Sequence, residues 1–286
     1  YLGTPKLNLL FENRTLKSTA NTGMTKKGKH ILYCNCHGTR IPPETLSGTM
    51  QLLDRHEFRV TVFSDLCGVA AMKRKAISEI LEENTEYLVI GCFPRTMRLL
   101  LEKARSVDLQ NISFNYVNLI ETPLKKVNDL VGDFCSGIIG IPSRREINGD
   151  PGWPAWYPII DYSRCTACGQ CADFCLFGVY DKTPEKITVT NPKGCKDQCP
   201  ACARICPSTA IIFPKYKHGG AVGGSDDIDE QAELQRQTRD IESILGDDIY
   251  LALQKRKARR QSIIKDEEMK KAFRERDIAI NKDKAE

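Results

Sequence analysis

Much that would announce a familiar chemistry is missing from this sequence. No stretch approaches the ~18 consecutive apolar residues of a transmembrane helix. The opening residues, YLGTPKLNLLFENRTLKSTANTG, hold no continuous apolar run of the kind a secretory signal needs. There is no G-x-G-x-x-G turn. The glycine-rich stretch Gly219–Ser225 has no strand leading in and no lysine where a phosphate loop requires one. No zinc-protease helix and no paired nucleophile and base can be found. Hydrophobic residues at 41% and charged residues at 28% exclude collagen-like and wholly disordered chains. A formal charge of +5 is too mild to demand nucleic acid.

What is abundant is cysteine. There are 13 in 286 residues, an odd number with tight local spacing, which argues against a disulfide framework. In a reducing, cytoplasmic setting such cysteines are metal ligands or redox groups. At roughly 150 residues per domain, the length suggests about two domains.

The chain divides by composition. Residues 1–29 read as an irregular, basic arm, and Met24 before TKKGKHILY would make a natural start. Residues 30–142 alternate strand and helix patterns: HILYC, then PETLSGTMQLLDRH; FRVTVF, then VAAMKRKAISEILEE; YLVIGC, then RTMRLLLEKARS; ISFNYVNL, then TPLKKVNDLVGDF. This alternation predicts an α/β domain with a parallel sheet covered on both faces. Residues 143–157, with Gly149, Pro151, Gly152 and Pro154, read as a linker pinned down by Trp153 and Trp156. Residues 158–217 form a cysteine-dense α+β module. Residues 218–286 read as a glycine hinge and a charged helical arm, with a partial stripe of Ile241, Ile244, Leu245, Ile249 and Leu253 and a basic run Lys255–Arg260.

Within the module, Cys165, Cys168, Cys171 and Cys175 give C-x2-C-x2-C-x3-C, the spacing of a 4Fe–4S binding loop. Cys195, Cys199, Cys202 and Cys206 give C-x3-C-x2-C-x3-C, followed by Pro207. Three close cysteines let one tight loop wrap three corners of a cube. The fourth, after a helical turn, points toward a second cube. This predicts one cluster on Cys165, Cys168, Cys171 and Cys206, and another on Cys175, Cys195, Cys199 and Cys202. The segment resembles the bacterial two-cluster ferredoxins. It departs from them in Leu176, where the family has proline, and in the x3 opening of the second run. YPIID, GVYD, ITVT and AIIF would supply the short strand pairs of that fold. Lysine and arginine are at least as frequent here as acids, whereas freely diffusing bacterial ferredoxins are very acidic. That balance suggests permanent docking in a complex.

Cys34 and Cys36 follow the first predicted strand, Cys67 the second, and Cys92 the third. In a parallel sheet these carboxyl ends share one edge, where such folds bind ligands. The four thiols therefore make a candidate third site. LYCNCHG, DLCGVAA, VIGCFPRTMRLLLEKA and FNYVNLIE resemble the N-terminal domain of the large, flavin-containing subunit of heterodisulfide reductase. The matching positions are Cys34, Cys36, Cys67, Cys92 with Pro94 and Arg95, and Asn118 with Glu121. The resemblance implies a 4Fe–4S cluster on the four cysteines, with Pro94 and Arg95 orienting the loop and offsetting cluster charge. His37, between Cys36 and Gly38, departs from the pattern and could add a nitrogen ligand. Cys135 reads as core packing, and His30, His56 and His218 as ordinary surface or core residues. The flavin of that family is not implied, because its glycine-rich turn is absent.

The expectation is an iron–sulfur electron-transfer subunit with no catalytic residues of its own. Its partner would be a larger redox enzyme carrying a flavin, a tungsten or molybdenum centre, or a hydrogenase site. Two rival readings are a disulfide-reducing enzyme with a substrate-facing N-terminal cluster and an iron–sulfur nucleic-acid-binding or sensor protein using Lys255–Arg260.

Overall fold

A computed structural model describes residues 28–38, 40–55, 58–105, 109–136, 142–236 and 274. Most of the N-terminal arm, His56, the apolar stripe from Ile241 and the basic run Lys255–Arg260 lie outside the described residues. So does the C-terminal arm beyond Arg236, apart from Arg274. No described helix is long and apolar enough to cross a membrane.

The first domain is a five-stranded, wholly parallel sheet with strands β1 (Gly28–Cys34), β2 (Arg59–Phe63), β3 (Thr85–Gly91), β4 (Ser113–Asn118) and β5 (Ser143–Ile147), in the order β4-β3-β1-β2-β5. Between them run α1 (Pro43–Asp54), α2 (Leu66–Met72), α3 (Arg74–Ser78), α4 (Pro94–Ala104) and α5 (Leu124–Cys135). Helix α1 packs with α5, while α2 and α3 pack with α4. With helices on both faces, the central strands carry continuous apolar runs. Ile31, Leu32 and Tyr33 of β1 and Tyr87, Leu88, Val89 and Ile90 of β3 are all buried.

Two sequence readings change here. The segment 143–157 does not begin as a linker, because its first five residues are β5, in parallel register with β2. Four of the five are exposed, and an exposed edge strand needs no apolar signal. The helix expected over VAAMKRKAISEILEE is broken at Lys73, whose backbone leaves the helical region (φ −130°, ψ 40°).

The cysteine-dense segment is built from very short elements: β6 (Ile159–Ile160), α6 (Gln170–Phe174), β7 (Tyr180–Lys182), β8 (Ile187–Val189), α7 (Ala201–Arg204), β9 (Ile211–Ile212) and α8 (Gly220–Gly223). β6 pairs antiparallel with β9, and β7 with β8. The strands from YPIID and AIIF thus face one another, as do those from GVYD and ITVT.

The two regions share a boundary made of apolar side chains. Ala155, Tyr157 and Ile159 belong to the core of the sheet domain, whereas Trp156 and Ile160 belong to the core of the segment. This alternation is what an extended strap between two cores produces. Arg95 of α4 is buried at the same boundary, with Nε 2.9 Å from Asp161 Oδ2 and Nη2 donating to the Thr209 carbonyl at 3.0 Å. The expected glycine hinge is packed as well. Ala221, Val222 and Gly223 are buried, and Gly224 sits at φ +100°, where a Cβ would collide with Thr96 Oγ1. Glycine is there for a left-handed close approach, not for flexibility.

Candidate metal centres

Chain order in the sheet reverses at β1, which lies between β3 and β2. The crevice at the carboxyl ends beside such a switch point is where open α/β sheets bind ligands. Cys34 is the last residue of β1, Cys36 lies two residues beyond it, and Cys92 directly follows β3. Cys67 is the second residue of α2, where its N–H donates to Asp65 Oδ1 at 3.1 Å. Gly91 keeps the strand ends close, since a Cβ there would lie 3.2 Å from that of Cys34 and 2.9 Å from Met97 Sδ.

All four thiols are buried, and they feel one another. Burial first, then the charges of Cys36 and Cys92, push Cys34 well above the usual thiol range. Burial, Asp65, Cys92 and Cys36 do the same to Cys67. Burial and Cys36 push Cys92 up to about 12, and burial and Asp65 raise Cys36. Four thiols so crowded hold their protons near neutral pH, and a metal centre would displace them. The cation beside them is Lys215, whose Nζ lies 2.6 Å from Asp65 Oδ2. Burial opposes its charge, but Cys67, Cys36 and Asp65 outweigh burial and raise its pKa. Arg95, expected near the thiols, turns instead to Asp161. Cys135 stands apart at the end of α5, raised by burial to about 11, with Lys29 the charge that acts on it. His30 is buried and bonded to Thr61 Oγ1 at 2.9 Å, while His218 is exposed with its ring edge-on to Tyr216.

In the segment, each cysteine run repeats the same backbone plan. A residue in the left-handed region immediately precedes the second cysteine: Ala167 (φ 56°) before Cys168 and Gln198 (φ 58°) before Cys199. The third cysteine is the second residue of a short helix, Cys171 in α6 and Cys202 in α7, and the fourth follows that helix. The extra residue of the second run is taken up ahead of the repeated plan, after a 3-10 turn over Pro192–Gly194.

The electrostatic neighbours group the eight thiols in part, with one link, from Cys171 to Cys202, crossing between the groups. Cys171, raised to about 11 by burial, also feels Cys206, Cys165 and Cys168. Those four, with Gly169 and Pro207, line one pocket. Cys195, raised to about 12 by burial, feels Cys199 and Cys175, and Cys202 feels Cys195, Cys171 and Cys175. Backbone amides point at sulfur, with Leu66 N 3.4 Å from Cys34 Sγ and Ala210 N 3.3 Å from Cys206 Sγ.

Among the described residues no group of three or more Cys, His, Asp or Glu is close enough to hold a single ion. All-thiol sets that feel one another at longer range suit a cluster whose irons lie between the sulfurs. A zinc ion, by contrast, needs every sulfur about 2.3 Å from one centre. The Tyr180 hydroxyl fits the same picture. It is buried with no oxygen or nitrogen partner and faces the Cys202 sulfur, with Cys171 and Cys175 close by. Between the Cys36 loop and the Cys199 loop opens a cavity of about 1040 Å³, lined among others by His37, Trp153, Trp156, Gln198 and Lys215.

Comparison with known proteins supports 4Fe–4S cluster binding. Residues 158–178 match the 4Fe–4S binding domain family. An uncharacterized ferredoxin of Methanocaldococcus jannaschii is 47% identical over 64 residues, 22% of this chain and 44% of that protein. Pyruvate synthase subunit PorD of Methanothermobacter marburgensis is 33% identical over 76 residues, 27% of this chain and 88% of that protein. The chain therefore spans less than half of the first relative and most of the second. It belongs to the ferredoxin-type iron–sulfur proteins, whose clusters carry single electrons.

Sequence reading passed over Lys215, Asp65, Tyr157 and Tyr180. Lys215 is 123 residues beyond Cys92 in the numbering and carries no motif. The one available signal for Asp65 was a capping residue ahead of a helix.

Proposed function

We propose that this chain is an electron-transfer subunit of a larger oxidoreductase and holds three 4Fe–4S clusters. One is assigned to Cys165, Cys168, Cys171 and Cys206, a second to Cys175, Cys195, Cys199 and Cys202, and a third to Cys34, Cys36, Cys67 and Cys92. The carrying observation is the placement of the last four thiols, all buried at the switch point of the sheet. Cys34 ends β1, Cys36 lies two residues on, Cys92 follows β3 and Cys67 opens α2, with the Lys215–Asp65 ion pair beside them. The likeness of LYCNCHG, DLCGVAA and VIGCFPR to the flavin-containing subunit of heterodisulfide reductase supports the same reading. When bound, each cluster supplies a one-electron couple whose potential follows charge, burial and hydrogen bonding. The chain contributes Lys215 to offset the charge of four thiolates, amides of Leu66 and Ala210 to stabilise reduced sulfur, and a buried boundary that holds the sites in fixed relation.

Its place within a complex is supported by the modest basic balance of the segment and by the relative that is itself named as part of pyruvate synthase. The partner would carry the substrate chemistry, at a flavin, a tungsten or molybdenum centre, or a hydrogenase site. Iron and acid-labile sulfide counted on anaerobically purified protein test the reading. Three four-iron clusters give about twelve irons per chain. About eight would leave the N-terminal thiols without a cluster and reduce that domain to docking.

A further inference from the structure

Two adjacent side chains of the strap each reach a cysteine, one in either region. Tyr157 Oη donates to the Cys67 carbonyl at 2.8 Å, and Trp156 Nε1 donates to the Cys199 carbonyl at 3.3 Å. Tyr157 is buried in the core of the sheet domain. Trp156 is buried in that of the segment and stacks on Phe213 with ring centroids 5.0 Å apart. Neighbouring Cα atoms are about 3.8 Å apart, so a continuous path of covalent and hydrogen bonds joins Cys67 to Cys199.

Other observations bring the same two sites together. Cys195 packs against the core of the sheet domain as well as that of its own segment. The large cavity has Cys36 on one wall and Asp197, Gln198 and Pro200 on another. A competing bridge runs through Arg95 to Asp161, whose carbonyl accepts from the Cys165 N–H at 3.0 Å, and to Thr209, whose N–H donates to the Cys206 carbonyl at 3.1 Å. From Cys92 it crosses two further residues of backbone, the whole Arg95 side chain and then part of Asp161 or Thr209, a longer covalent path than the one through Tyr157 and Trp156. Farther along, the short helices α6 and α7, which carry Cys171 and Cys202, pack against each other. Cys168 is exposed to solvent.

The geometry points to an ordered series. The Cys34/Cys36/Cys67/Cys92 site connects through Tyr157 and Trp156 to the Cys175/Cys195/Cys199/Cys202 site, and only then to the Cys165/Cys168/Cys171/Cys206 site, whose exposed Cys168 marks the outer end. The inference rests on the three-cluster reading above. In each step one electron leaves a reduced site and is taken up by an oxidised neighbour, with no atom or proton transferred. Tyr157 and Trp156 are positioning residues for the first step, because tunnelling across hydrogen bonds decays less steeply than across a van der Waals gap.

The test uses the full chain, purified without oxygen and with its iron counted. Pulsed dipolar EPR on the reduced wild type measures the separations between sites. Rapid photoreduction then gives the rate at which electrons redistribute among them. Tyr157→Phe removes the bond to Cys67. Tyr87→Phe is the control, since it loses a buried phenol–carbonyl bond to Ile80, together with the bond the phenol accepts from the Glu82 N–H, on a strand end that bears no cysteine. We expect Tyr157→Phe to slow redistribution several-fold with iron content and potentials unchanged, and Tyr87→Phe to leave the rate as it was. Dipolar separations should place the N-terminal site nearer to the Cys199 site than to the Cys165 site. Twelve irons with an unchanged rate in Tyr157→Phe, or the opposite order of separations, overturns the series alone. Eight irons overturns the three-cluster reading and the series with it.

Discussion

The sheet domain and the ferredoxin-like segment gather cysteines by different physical means. In the sheet domain the thiols hang from the ends of strands five to seven residues long, over a core in which Ile31, Leu32, Tyr33, Phe63 and Ile90 are almost fully buried. That core is complete whatever the thiols bind. In the segment the strands are two or three residues long, cysteines make up a good part of the small core, and Phe174, Leu176 and Phe177 stay exposed. A core that small does not balance the entropy of ordering the chain, so metal must do so. One region presents a site on a finished scaffold, and the other is finished by what the site holds.

The sharpest way to break this contrast is to remove iron. Chelation under reducing, anaerobic conditions should abolish hydrogen-exchange protection in β6 to β9 while β1 to β4 keep theirs. Equal loss in both regions would show that the sheet domain also depends for folding on the cluster proposed there.

The boundary comes next. Arg95 and Asp161 are 2% exposed each. Burial alone would raise the Asp161 carboxyl, but hydrogen bonds from Ser163 and Arg95 prevail and hold it below the usual carboxylate range. Arg95→Met would strand that carboxylate in the interior, a loss of roughly 3–5 kcal/mol. Denaturant unfolding should show it as a lower midpoint, with the two regions melting separately. The double variant Arg95→Met with Asp161→Leu should recover much of the loss, because no uncompensated charge remains.

A smaller effect belongs to the sheet domain alone. His30 is pulled down to about 4, first by burial and then by Arg59, with Glu82 opposing. Between its ordinary value of 6.5 and about 4, the unfolded chain binds a proton that the folded chain does not. Stability therefore falls as pH drops through that window, by up to about 3 kcal/mol. His30→Gln should flatten the dependence, read as the unfolding midpoint of the sheet domain between pH 7 and 5.

These elements also show what the sequence could disclose. Four strands and their helices were legible because β-branched runs alternate with helical stripes. β5 was not, because SRREI is an exposed basic edge with no apolar face. Gly219–Ser225 looked like a hinge, since composition cannot tell a glycine needed at φ +100° from one that loosens a linker. The grouping of Cys165, Cys168 and Cys171 follows from local spacing. The gathering of Cys34, Cys36, Cys67 and Cys92 required strand ends to be placed first. Lys215 and Tyr157 are partners made only by the fold, and no local pattern marks them.

The weakest perturbation tests whether a departure from the ferredoxin pattern matters. Leu176 stands where the family has proline, and its side chain is 77% exposed. Proline restricts the residue before it to extended backbone, and Cys175 already lies there, at φ −71° and ψ 120°. Among the described residues the Leu176 N–H has no acceptor, so proline would remove no hydrogen bond. Leu176→Pro should therefore leave iron content unchanged and shift stability by no more than about 1 kcal/mol, in the stabilising direction, by narrowing the unfolded ensemble. Loss of iron on this substitution would mean that Leu176 helps to seat the cluster loop. The segment would then depend on packing in the way the sheet domain does.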